Sequence, residues 1–308
     1  MDALLDLAQN TLDGLTSGAA YALLAVGFTL IFGVLRRANL AYGACILFGV
    51  YLATWLSQRS DAGLATLALV AVAGCVLAGA YVERLCFAPH RERRGNRITS
   101  GAAIAAMVAS FALWMQFEEA ATLLLPRHMY AFPALYEGAP LALGPLSVRV
   151  EALVLFAAAA LMLGALWFLL KRSRFGIAVR ALIDDPLAAG LCGIPVARVF
   201  AVVFGLASAI GGAAGFFVVA MHQQVTPHLG MWATLKGMLA MMIGGLGSLP
   251  GAVFGGLLLG LIEAHSQWYL GPQSRDLIAY LLLFTLLALR PGGLASWMTR
   301  WTSTRSAS

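Results

Sequence analysis

The stretch GLTSGAAYALLAVGFTLIFGVLRR, residues 14–37, decides the fold class: it runs without a charge from Gly14 to Leu35 and then meets two adjacent arginines, Arg36 and Arg37. A bilayer core of about 30 Å needs roughly 20 apolar residues in helical form, and cationic residues collect on the cytoplasmic side of such spans. The segment therefore reads as a transmembrane helix that ends inside. Its neighbours repeat the pattern. Asn39 to Leu56 and Ala62 to Tyr81 form two more spans, which return the chain to a second basic loop holding Arg84, Arg91, Arg93, Arg94 and Arg97. Ser100 to Leu125 crosses outward, and the segment from Pro126 to Arg149 makes an outer connection with room for a short helix or a hairpin. Glu151 to Leu170 crosses inward, Lys171 to Arg198 is the longest inside connection, and Val199 to Val219 leaves again with a Gly211-Gly212-Ala-Ala-Gly215 run suited to close helix packing. The region Met231 to Glu263 is interrupted at Gly244 to Gly251 and reads as one broken span or two short ones. Two spans, followed by a last crossing at Leu277 to Leu289, put Arg290, Arg300 and Arg305 inside, which the charge rule favours.

Composition agrees. Of the 308 residues, 61% are hydrophobic and 11% charged, far below the quarter or so of charged residues in soluble domains. The reading is an all-α, polytopic transmembrane helical bundle of about eight to nine spans, some short or broken, forming a single membrane domain over residues 1–308. The N-terminus is expected outside and the C-terminus in the cytoplasm. The acidic start, with Asp2 and Asp6, lacks the basic region of a secretory signal, so no cleaved leader is expected. The formal charge of +6 is carried largely by arginines in short loops, which is a topology signal and not a nucleic-acid footprint. The four cysteines, Cys45, Cys75, Cys86 and Cys192, have no metal-site spacing and imply no disulfide framework or cofactor.

A few polar residues stand out against this background. Lys236 lies in an apolar segment five residues after Met231, where it either lines a polar route or snorkels to the outer interface. Glu263, close to His265, reads as interfacial. Gln116, Glu118 and Glu119 lie within the fourth span and suggest a polar face. Asn39 and Tyr42 either recognise a zwitterion or cap a helix end. Gly244 and Gly245 mark either a packing turn or a broken helix bordering a substrate path. No phosphate-binding Gly-x4-Gly-Lys-Ser/Thr loop, His-Glu-x-x-His or Gly-x-Ser-x-Gly motif is present, so catalysis by this chain is not expected.

Three separated stretches resemble the smaller membrane permease of ATP-driven (ABC) importers for branched-chain amino acids. The first is Gly18 to Leu35 followed by Asn39-Leu-Ala-Tyr42-Gly43. The second is Gly176 to Ile194, where Leu187-Ala188-Ala189 and Gly193 match the Glu-Ala-Ala, three residues, Gly pattern of importer coupling helices. The third is Leu235 to Gly256, with Arg290-Pro291-Gly-Gly293-Leu294 after it. This chain departs from the family at Tyr42 and Ala44, where His and an acidic residue are usual, and at Leu187, where Glu is usual. The resemblance implies a non-catalytic permease that pairs with a second permease, two ATP-binding subunits and an extracytoplasmic substrate-binding protein. It places ATPase coupling in the segment 171–198, at Arg180, Asp184, Asp185, Ala188, Ala189 and Gly193. A translocation path would involve Asn39, Tyr42, Gln116, Lys236, Gly244 and Gly245. The competing class is an ion-gradient-driven transporter of small polar solutes, with Lys236, Glu118 and Glu119 as coupling groups.

Overall fold

The computed structural model describes residues 2–35, 39–89, 100–125, 129–136, 138, 141–143 and 146–289. The arginine pair 36–37, most of the basic loop after position 89, and the arginines and glycine motif from position 290 onward lie outside these residues. The described chain is helical almost throughout: α1 (Asp2–Leu35), α2 (Tyr42–Ser57), α3 (Leu64–Val82, extended by a π turn, Glu83–Phe87), α4 (Ser100–Leu124), α5 (Val150–Arg172), α6 (Arg174–Asp184), α7 (Pro186–Leu191), α8 (Val196–His222), α9 (Leu229–Gly244), α10 (Leu249–Leu270) and α11 (Ser274–Leu289). Lipid offers no partner to backbone N–H and C=O groups, so apolar runs of this length close their hydrogen bonds internally. Five of the described helices are long and apolar enough to cross a membrane: those within residues 5–34, 64–87, 150–172, 196–222 and 249–270. The expected all-α polytopic bundle is what forms, with α2 and α9 as shorter apolar helices. Four short strands make two antiparallel pairs. Of these, β2 (Leu141–Leu143) and β3 (Leu146–Val148) form an antiparallel pair in the connection between α4 and α5, while β1 (Tyr130–Ala131) pairs with β4 (Gln224–Val225) just after α8.

The chain forms two compact units. One contains residues 30–135 and 161–234. Its centre is α2, α3 and α8, and glycines set the spacing. A Cβ on Gly49 would stand 2.7 Å from Cys75 N, and one on Gly212 would stand 2.9 Å from both Val72 Cα and Cys75 Cβ. The close packing expected of the Gly211 to Gly215 run is therefore realised against α2 and α3. Phe87 of the π turn meets Phe204 of α8 at 5.5 Å between ring centroids, and Phe48 meets Phe117 at 5.3 Å.

The other unit contains residues 1–29, 136–160 and 235–308. Here α1 and α10 run antiparallel along a seam of small residues. A Cβ on Gly18 would lie 2.8 Å from Leu257 Cα, one on Gly256 would lie 2.5 Å from Ala22 Cα, and one on Gly260 would lie 2.5 Å from Gly18 Cα. Helices in lipid gain no hydrophobic energy by meeting, so such seams supply the dispersion contacts that hold them. The interrupted segment resolves as two helices. Gly245 (φ 102°) and Gly247 (φ 82°) turn the chain through conformations open to glycine, and Ser248 then starts α10 by accepting a hydrogen bond from Gly251 N at 3.2 Å.

Gly256→Val should lower the thermal midpoint by an amount equivalent to about 1–3 kcal/mol, because the added side chain meets Ala22 backbone in a packed seam. Gly63→Ala, with no heavy atom within 4 Å of the new Cβ, should leave it unchanged. Heating detergent-purified protein with a thiol-reactive dye reads this directly, since Cys45, Cys75 and Cys86 are buried until the bundle opens.

Candidate functional site

The most polar buried site lies in the second unit and centres on the lysine that the sequence singles out. Lys236 is 2% exposed and Glu263 1% exposed. The ammonium donates to Glu263 Oε1 at 2.5 Å and to Asp276 Oδ1 at 2.6 Å. The second carboxylate oxygen, Glu263 Oε2, accepts from Tyr21 OH at 2.8 Å and from Arg275 Nε at 2.8 Å. Arg275 Nη2 donates in turn to Tyr21 OH. Lys236 Nζ also sits 5.9 Å from the Tyr21 ring centroid.

Four elements build this cluster: α1 brings Tyr21, α9 Lys236, α10 Glu263, and α11 Arg275 and Asp276. Two cations face two anions, and every Glu263 lone-pair direction used is met by a donor. An unpaired charge at such depth is costly, whereas a matched and hydrogen-bonded set is tolerated. The structure pairs the two residues that the sequence leaves separate: Lys236 turns inward onto Glu263, and both are enclosed by protein. Tyr21, Arg275 and Asp276 escape sequence reasoning because they meet through tertiary packing. The available signal was the pair of opposite charges, Lys236 and Glu263, each alone in an apolar run.

The remaining path candidates fall in different local settings. Asn39 is buried, its Oδ1 accepts from Ala41 N at 3.1 Å, and its Nδ2 has no partner among the described residues. Tyr42 begins α2 fully buried and donates to Ala207 O of α8 at 3.1 Å, with the backbone of Gly211 close beneath its hydroxyl. Gln116 stands exposed on α4 beside exposed Glu119. Gly244 ends α9 against the backbone of Gly251, and Gly245 is the first residue of the turn. Asn39 and Tyr42 thus adjoin in one unit, and Lys236, Gly244 and Gly245 share α9 and its turn in the other.

The segment 171–198 is built more rigidly than a loop. Ser173 caps α6 by accepting from Gly176 N at 3.0 Å, and Arg180 Nη1 donates to Leu170 O at 2.5 Å, tying α6 back onto the end of α5. Asp185 caps α7 by accepting from Leu187 N at 2.8 Å and Ala188 N at 3.2 Å, with Pro186 in the first helical turn. Asp184 closes α6 and takes no part in that cap. Gly193, at φ 84°, stops the helix, and Ile194 N returns to Ala189 O at 3.1 Å. A short helix thus runs up to Gly193, and of the two adjacent aspartates it is Asp185 that starts it. Ala189 is tucked inward while Leu187 (57%) and Leu191 (84%) are exposed, leaving an apolar face on a capped, proline-started helix.

Known proteins give this geometry a context. The family described as "Branched-chain amino acid transport system / permease component" matches residues 10–287. The chain is similar to the high-affinity branched-chain amino acid transport system permease protein LivH of Escherichia coli K12, 29% identical over 299 residues, 93% of this chain and 94% of that protein. It is similar to BraD of Pseudomonas aeruginosa, of the same description, at 28% over 298 residues with the same coverage. A fructose import permease, FrcC of Rhizobium meliloti, is 31% identical over 136 residues, 42% of this chain and 38% of that protein.

Lys236→Met should cost on the order of 3–5 kcal/mol, because it strands the enclosed carboxylate of Glu263 with one cation fewer. Asp276→Asn should cost less than about 1 kcal/mol, since that carboxylate is 63% exposed. Thermal midpoints of the two variants in one detergent separate the enclosed arm of the cluster from the solvated one.

Proposed function

This chain belongs to the permease family of branched-chain amino acid transport systems, and we propose that it is one of two permeases in an ATP-driven importer that carries branched-chain or closely related amino acids inward. The observation that carries this reading is the near full-length similarity to permeases of that system, joined with a capped α7 whose apolar face is exposed. In the proposed complex an extracytoplasmic binding protein delivers the substrate, and two ATP-binding subunits grip the segment 171–198. The N-terminus lies outside and the C-terminus inside.

The chemistry of the coupling segment suits a lever. Caps at Ser173 and Asp185 and the Arg180 to Leu170 tie leave few soft torsions between α5 and α8, so displacement of α7 is passed to its flanking helices instead of being absorbed. Leu187, Ala188 and Leu191 supply the contact face, and Gly193 supplies the sharp exit. Alternating access then follows from two packings of the bundle that nucleotide binding in the motor pair favours unequally. The match of residues 10–287 to a transport permease family supports this reading over an ion-gradient mechanism.

Reconstitution of the chain with a second permease, the ATP-binding subunits and a binding protein should give leucine uptake that requires ATP. Uptake driven by a proton or sodium gradient without the ATP-binding subunits would contradict the proposal. Leu191→Asp should reduce co-purification of the ATP-binding subunits at least tenfold while membrane insertion and thermal midpoint stay unchanged, because Leu191 is almost fully exposed. Undiminished co-purification would remove α7 from the interface.

A further inference from the structure

Beside the ion cluster, between the N-terminal half of α1 and the end of α10 with the start of α11, lies a cavity of about 280 Å³ bordered by Asp13, Ser17, Glu263, Gln267, Trp268 and Arg275. It lies wholly within one unit. Pockets for drug-sized ligands run from roughly 300 to 1,000 Å³, so this one has room for a single small molecule. Its lining is unusual for a hole in an apolar bundle, because charges of both signs border it.

The charges are not equally committed. Glu263 is neutralised by Lys236 and Arg275. Arg275 spends Nε on Glu263 and Nη2 on Tyr21, which fixes the plane of the guanidinium and leaves Nη1 without a protein partner among the described residues. Asp13, on α1, accepts a hydrogen bond of 3.4 Å from Gln9 and has no cationic partner among the described residues. The lining thus offers an uncompensated carboxylate and an oriented guanidinium with an open edge, together with Trp268, 56% exposed, and the small residues Gly260 and Ala264.

From these features we infer that the cavity binds a free α-amino acid, with the α-ammonium on Asp13, the α-carboxylate on Arg275 and the aliphatic side chain against Trp268. Guanidinium pairs with carboxylate through directional, charge-assisted hydrogen bonds, and its prior fixation by Tyr21 and Glu263 lowers the ordering cost of binding. A bound zwitterion gives Asp13 the cation it lacks and meets the open edge of Arg275 with its carboxylate, so an analogue lacking the ammonium leaves Asp13 unpaired and one lacking the carboxylate forgoes the guanidinium hydrogen bond. The cavity lies at the end of α1 remote from Arg36 and Arg37, the extracytoplasmic end in the proposed topology. The inference rests on the amino-acid importer reading and adds a recognition site within the permease itself, upstream of the path, where the delivered molecule is received.

The test is equilibrium binding of radiolabelled leucine to the purified permease pair in nanodiscs with no binding protein present, run beside ATP-driven uptake by the whole importer. Unlabelled leucine should compete at least tenfold better than leucinol, which lacks the carboxylate, or 4-methylpentanoate, which lacks the ammonium. Asp13→Asn should weaken binding about tenfold and Asp13→Glu should restore part of it. Asp13 is exposed, so neither change threatens folding. Ser17→Phe, which fills the cavity, should abolish binding while the ATP-binding subunits still co-purify. Wild-type uptake of leucine together with no leucine binding, or with binding indifferent to Asp13→Asn and to the analogues, would overturn the site and leave the importer reading standing. Failure of the complete importer to take up any amino acid would overturn both.

Discussion

Close approach of helices through glycine is the constraint from which the rest of this structure follows. A bundle in lipid cannot draw on hydrophobic burial to bring its helices together, so contact must come from dispersion between surfaces that fit. Gly18, Gly256 and Gly260 let α1 and α10 approach to backbone contact, and Gly49 and Gly212 do the same for α2, α3 and α8. The ion cluster is a consequence of that seam. Tyr21 reaches Glu263 because the residues flanking both are small enough to seat α1 directly on α10, and the same proximity closes the space in which Lys236 and Arg275 neutralise the carboxylate. Widening the seam would leave those charges facing lipid.

Much of this architecture is legible in the sequence because lipid imposes length and apolarity locally. The spans from Asn39, Ser100 and Glu151 appear within a few residues of their expected ends, the connection between α4 and α5 carries an antiparallel strand pair, and the Gly244 to Gly251 interruption becomes a turn between two helices. The short helix before Gly193 is also legible, since a cap at Asp185, a proline at the next position and a glycine stop are local signals.

What is not legible depends on contacts distant along the chain. Lys236 reads as a route-lining or snorkelling cation, and Glu263 as an interfacial anion, until the fold places one against the other across 27 positions. Arg275 and Asp276 look like ordinary loop charges next to a span. Tyr21 looks like one more aromatic in an apolar run. Arg180 falls in the coupling segment by resemblance, and nothing local announces that its Nη1 also donates to Leu170 O at the end of α5. In each case the residue type was visible and its partner was not, because no local periodicity encodes which helices adjoin.

The two ends of the account join through stiffness. A segment that is to transmit motion must deform less than the contacts it moves, and the run from Ser173 to Ile194 secures its helix ends with side-chain caps, one guanidinium tie and a glycine stop. Its outward face is apolar and exposed at Leu187 and Leu191. The central claim is that a motor subunit occupies that face. Cys192, exposed at the end of α7 while Cys45, Cys75 and Cys86 are buried, allows a direct measurement on the unmodified sequence. A photo-crosslinker attached to Cys192 in the assembled importer should capture an ATP-binding subunit, with a yield that changes between nucleotide-free and ATP-bound states. Capture of lipid alone, or none of the ATP-binding subunit in either state, would contradict the account.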